Sequence, residues 1–336
     1  MKNIILLVTL ILGLVSHSYA NQDCEQIKLD KRYHHFTKFL TDLKKSPAVW
    51  NNYEIWQAPL YVSFSPYNTC FLYLQNGLKG EVVLDEKYDV DSDPKDNYLQ
   101  IYAFFGSIYE RDNFPEKLST HLKAKGYNQS LLLVFPQDYF QRPKNLRTVT
   151  HEAFHMLVQK SVAGRISKPF PKASREEIDR ACYDQMTLAE AQALVDLTRS
   201  AFLKDKTSAK KSFKLYKELR SQRGELTLKE SSAPYKTWKC AYVENEMEIS
   251  EGITEYASWK TLINLKGYGY TSEQFLALMI KEIITLPTKA EPYYLTGAGL
   301  MFVIDAFKPA AILSHRRAWS EHSGEDLMKV AEIALK

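Results

Sequence analysis

The chain is short of the features that mark several large protein classes. It has four cysteines among 336 residues, none of them in a CxxC pair, which argues against a thiolate metal site. It has no Gly-x-Ser-x-Gly elbow, no phosphate loop and no Cys/His signature, so serine, nucleotide and thiol chemistries find no foothold. Charge of one sign is also missing. The 44 Lys and Arg nearly balance 40 Asp and Glu, for a formal net charge of +4, which gives no argument for nucleic acid or an anionic membrane as partner. No internal repeat or low-complexity tract is visible. After the first twenty residues no apolar stretch approaches the ~20 residues that cross a bilayer, so no membrane span is expected in the mature chain.

What is present begins with a leader pattern. Lys2, the apolar run from Ile4 to Val15, and small residues Ser18 and Ala20 before a cut read as a secretory signal peptide. The expected compartment is therefore secreted or periplasmic. There an even count of cysteines permits two disulfides among Cys24, Cys70, Cys182 and Cys240, with three pairings open. A Cys182–Cys240 bridge would brace a segment between two pieces of the candidate site.

Hydrophobic periodicity then divides the remainder. Helical spacing of Phe36, Phe39, Leu40 and Leu43 predicts a helix over 33–43. Strand-like runs follow at 60–64, 70–74, 81–84, 98–105 and 131–135, with a short helix at 115–125. From about 144 the pattern is mostly helical, with expected helices at 145–160, 174–204, 207–223, 238–264, 272–285, 294–307 and 325–335. A loop is expected through Pro234. The Lys-rich stretch from Lys204 to Arg223 reads as a solvated helix face, and Glu244 and Glu248 read as part of a solvated acidic one.

The chemistry concentrates in His151-Glu152-Ala153-Phe154-His155. Histidines four apart on a helix share one face, and two imidazoles so placed can bind one zinc ion. Glu152 is then positioned to take a proton from a water activated by the same metal. Such a site needs a third protein ligand and an open position. The candidate is Glu251, in Ser250-Glu251-Gly252. Glu255, four residues on, is placed to accept the free N–H of a ligating imidazole, His151 most naturally. Gly252 inside a helix implies close packing.

These residues resemble the gluzincins, the zinc metallopeptidases of the thermolysin and aminopeptidase kind. His151 to His155 matches their HExxH helix, and Ser250-Glu251-Gly252 followed by Tyr256 is similar to their glutamate helix. Tyr294-Leu295-Thr296-Gly297 resembles the Tyr-x-x-Gly of a later helix, which implies that Tyr294 stabilises an oxyanion. The interval between His155 and Glu251 is several times the usual gluzincin gap, and the Gly-x-Met-Glu-Asn of the aminopeptidases is absent.

The resulting expectation is an α+β protein: a signal peptide at 1–20, an N-terminal mixed sheet within 21–143, and a mostly helical, zincin-like catalytic half at 144–336 with a helical insertion at about 165–237 that covers a cleft. Zn2+ is held by His151, His155 and Glu251, with Glu152 and Tyr294 catalytic and Glu255 behind the ligands. The expected activity is hydrolysis of a peptide or protein substrate. The alternative is an exported binding or envelope-associated protein whose zinc is structural or inactive.

Overall fold

The computed structural model describes residues 24, 26–50, 53–64, 70–75, 79–84, 100–104, 116–127, 130–135, 144–159, 171, 173–230, 233–285, 292–320 and 325–336. The leader pattern at 1–20 lies outside them. The protein is α+β, mostly helical with a small mixed sheet. It divides into two compact units, Met1–Leu157 and Val158–Lys336.

The first unit is built on a five-stranded sheet of order β3-β2-β1-β5-β4. Its strands are β1 Leu60–Phe64, β2 Cys70–Gln75, β3 Lys79–Leu84, β4 Gln100–Phe104 and β5 Ser130–Phe135. Among the described residues only the β1–β5 pair is parallel; the other ladders run antiparallel. β1 and β5 are buried along their whole length, as expected of central strands covered on both faces, which read as continuous apolar runs rather than alternation. On one face Tyr61, Phe71, Tyr73, Leu132 and Val134 pack with Leu118 and Leu122 of α2 (Glu116–Ala124). On the other, Phe36 of α1 (Lys31–Lys45) meets Phe135, which stacks on Phe64. Asp30 caps α1 by accepting the Arg32 N–H at 2.7 Å. A disulfide joins Cys24 to Cys70, with Cα atoms 5.4 Å apart. The unit ends in α3, Lys144–Phe154, which lies beside the edge strand β4. A π turn, His155–Gln159, continues α3.

Among the described residues the second unit is helical apart from one hairpin. Arg175–Ile178 (α4) passes into a π turn at Asp179–Tyr183, followed by α5 Leu188–Phe202 and α6 Lys206–Gly224. The single helix expected at 174–204 is thus two pieces. The loop expected through Pro234 is instead a two-stranded antiparallel hairpin, β6 Thr227–Glu230 and β7 Ala233–Lys239. Proline is tolerated there because both strands of a two-stranded sheet are edges. Then α7 Cys240–Met247 runs through the π turn Glu248–Gly252 into α8 Ile253–Asn264. Ser272–Met279 (α9) carries a Thr271/Gln274 capping box and extends to Thr285 as a π turn. The last elements are α10 Pro292–Phe307, α11 Pro309–Ser320 and α12 Leu327–Leu335. The sequence reading passed over α11, whose buried apolar residues are few.

α10 is the hub. It is apolar all round and buried from Leu295 to Ile304, the pattern of a helix enclosed by neighbours. Helices α5, α8 and α12 pack against it. Phe202 of α5 meets Phe302 at 4.7 Å, and a Cβ added at Gly299 would stand 2.8 Å from the Thr198 hydroxyl. The stretch expected to be a polar insertion over a cleft therefore supplies a core helix. Among the described residues no helix is long and apolar enough to cross a membrane.

Candidate metal centre

The histidine pair sits at the end of unit 1. His151 occupies the last turn of α3 and His155 opens the π turn after it. Their Nε2 atoms are 3.2 Å apart, with the ring planes at 75°. Two nitrogens each ~2.0–2.1 Å from one tetrahedral zinc stand about 3.3 Å from one another. The pair thus has the spacing that a shared cation requires. His151 is buried; Glu152 and His155 are half-buried and keep access to solvent.

Aromatic packing fixes this helix. Phe154 is fully buried between Trp50 and Tyr53, edge-on to both at 5.4 and 5.1 Å. The Tyr53 hydroxyl donates to the Thr150 carbonyl at 2.5 Å, one residue before the first histidine. Leu146, Val149, Ala153 and Met156 complete the buried face.

The candidate carboxylate lies within unit 2. Glu251 is buried in the π turn Glu248–Gly252. Among the described residues there are four π turns, and two of them hold His155 and Glu251. Such turns gather at functional positions because they shift side-chain register by one residue. Gly252 abuts Gly297 of α10: a Cβ built on Gly252 would come 2.5 Å from the Gly297 Cα, and one on Gly297 would come 2.7 Å from the Gly252 Cα. Both motif glycines are therefore explained by one backbone crossing, as close packing of Gly252 implied. The crossing brings the first turn of α10 against the glutamate turn. Tyr294, in that first turn, is half-buried and stacks on Tyr293 at 4.8 Å. Glu255 is buried and its Oε1 accepts the Trp259 indole N–H at 2.8 Å. Tyr256 is buried against Phe302 and hydrogen-bonded to Asp305, so its phenol is pushed well above the usual tyrosine range, first by burial.

At the start of unit 2, the Gln159 amide donates to the carbonyls of Ser250 and Ile249 at 2.9 and 3.3 Å. Gln159 closes the π turn that His155 opens, and Ser250 precedes Glu251. Sequence reasoning did not single it out; its signal was a polar residue four positions after His155 on an otherwise apolar face.

The expected solvation of Glu244 and Glu248 is overturned. Both are buried and bound by arginines of α6. Arg220 donates from Nη1 and Nη2 to the two Glu248 oxygens, at 2.6 and 2.8 Å. Arg223 holds Glu190 at 2.7 Å, pairs with Glu244, and donates to the Cys182 carbonyl at 2.9 Å. Thr296 of α10 donates to Glu248 at 2.6 Å. The α6 lysines are exposed as expected, but these two arginines turn inward because a guanidinium can satisfy several buried acceptors at once. Three carboxylates facing two guanidiniums leave one negative charge in excess, and burial pushes Glu244 up to about 7.

Comparison with protein-family models, curated proteins and solved structures returned no match. His151 and His155 in unit 1 offer two imidazoles, and Glu251 in unit 2 offers a carboxylate, all donor types that suit a metal ion. Cys182, Cys240 and Glu244 form a second group on paper, but both sulfurs are consumed in a disulfide with Cα atoms 5.3 Å apart. A disulfide sulfur is not the thiolate that binds metal. This is the Cys182–Cys240 bridge that the sequence favoured.

Proposed function

We propose that this chain is a zinc-dependent hydrolase, a metallopeptidase of gluzincin type and zincin-like fold, with His151, His155 and Glu251 as the ligands. The observation that carries the reading is the 3.2 Å separation of the two imidazole Nε2 atoms, set by a helix braced on three aromatic rings. The helical run that bears them reaches Gln159, and the bond from Gln159 to Ser250 supports Glu251 as the third donor. When bound, zinc supplies Lewis acidity that polarises a carbonyl and lowers the pKa of water to about 7.

The protein groups do the rest. Glu152, half-buried, takes a proton from the attacking water as its oxygen bonds to the scissile carbonyl carbon. It then passes that proton to the departing amine nitrogen. Tyr294 donates its hydroxyl to the oxygen on which negative charge develops. Glu255 orients a ligating imidazole through a carboxylate hydrogen bond. Strand β4, beside α3 and at the edge of the sheet among the described residues, is where an extended peptide aligns through main-chain hydrogen bonds. Export to an oxidising compartment suits a chain in which all four cysteines are paired.

Metal analysis of the purified chain, alongside Glu152→Gln and hydrolysis of a peptide library, tests the reading. The expected outcome is about one zinc per chain in both proteins, with the variant's turnover down by ~10²–10⁴, the usual share of a general base. A chain that takes up no zinc, or a variant that cleaves as well as the parent, overturns it.

A further inference from the structure

The turn that carries Glu251 is gripped from two sides by groups no metal chemistry requires. Glu248 opens this π turn, and its backbone carbonyl receives the Ile253 N–H in the long-range bond that defines the turn. Its carboxylate is buried to 1% exposure and accepts from three donors: Nη1 and Nη2 of Arg220, and Oγ1 of Thr296. Arg220 comes from α6 and is itself steadied by donating from Nη1 to the Tyr216 phenol oxygen at 2.9 Å. Thr296 lies two residues after Tyr294, and Gly297, next to it, touches Gly252.

Stability alone does not account for this arrangement. A buried ion pair gives little net stabilisation over apolar residues of the same volume, and a π turn is not favoured by local propensity. A carboxylate fixed by three directional donors instead gives the turn one position, because hydrogen bonds constrain direction as packing does not.

We infer that Arg220, Glu248 and Thr296 form a positioning triad that sets the place of Glu251 and ties it to the α10 turn bearing Tyr294. The inference rests on the reading of Glu251 as a metal ligand. It adds that ligand geometry is controlled by the α10 hydroxyl, one helix away from any donor atom. Thr296 is the group to test, since valine keeps its shape and leaves Glu248 bonded to Arg220, whereas truncating either charge would strip its buried partner of a two-point ion pair.

The experiment titrates the full chain with Zn2+ against a chromogenic chelator and records the absorption spectrum of the Co2+-loaded protein. It compares the parent with Thr296→Val, Thr296→Ser and Thr198→Val. Thr198 is an equally buried hydroxyl that, among the described residues, bonds within its own helix, to the Leu194 carbonyl at 2.9 Å. Thr296→Val is expected to weaken Zn2+ binding about tenfold, at the lower end of what partners of ligands contribute, and to shift the Co2+ bands. Thr296→Ser should restore both, and Thr198→Val should change neither. Parental affinity and spectrum in Thr296→Val, or equal weakening in Thr198→Val, overturns the triad while leaving the ligand assignment standing. A parent that binds neither ion overturns both.

Discussion

The imidazole helix of unit 1 and the glutamate turn of unit 2 are held by opposite physics. The imidazole helix is braced by apolar contact, with Phe154 wedged between Trp50 and Tyr53. The glutamate turn is braced by charge, through Arg220, Arg223, Glu190, Glu244 and Glu248. Apolar packing degrades in proportion to the volume lost. A buried charge network degrades abruptly, because each group removed strands another in a low-dielectric interior. The difference teaches that histidine placement is robust to conservative change, whereas carboxylate placement is not.

The largest effect should come from breaking the network. Arg223→Met removes the partner of two buried carboxylates and should cost ~3–5 kcal/mol, read from the shift in chemical denaturation. Phe154→Leu, which keeps an apolar side chain at the wedge, should cost less than about 1.5 kcal/mol by the same measurement. Equal losses in the two variants would erase the contrast. A smaller effect sharpens it. Glu244 is raised from 4.5 to about 7 in the folded chain, chiefly by burial, so the native state holds its proton more tightly than the unfolded one. Its contribution to stability is complete below about pH 4.5 and is lost as pH rises through about 7. Glu244→Gln, neutral at every pH, should flatten the decline of melting temperature between pH 5 and 8. An unchanged slope would mean that another group carries the excess charge.

Much of this was legible in the sequence where one physical signal dominated. β1 and β5 were readable because a strand buried on both faces is apolar without interruption, and the histidine pair because spacing alone puts both rings on one helix face. The inward turn of Glu244 and Glu248 was not readable, since a carboxylate looks the same in sequence whether water or a guanidinium meets it. A faint cue existed: Arg220 and Arg223 stand three apart in a helix otherwise dominated by lysine. The β6–β7 hairpin was hidden by Pro234 and its charged residues, which match a loop, and α11 by polar residues that bury only a narrow stripe including Ala311, Ile312 and Trp319.

The contact of Gly252 with Gly297 has a consequence for anyone who would redesign this protein. Where two backbones meet with no room for a methyl group, neither position can drift alone, and even paired replacement would have to move whole helices apart. Random libraries should fall silent at these two codons. Any retuning of specificity must come from the side chains around them.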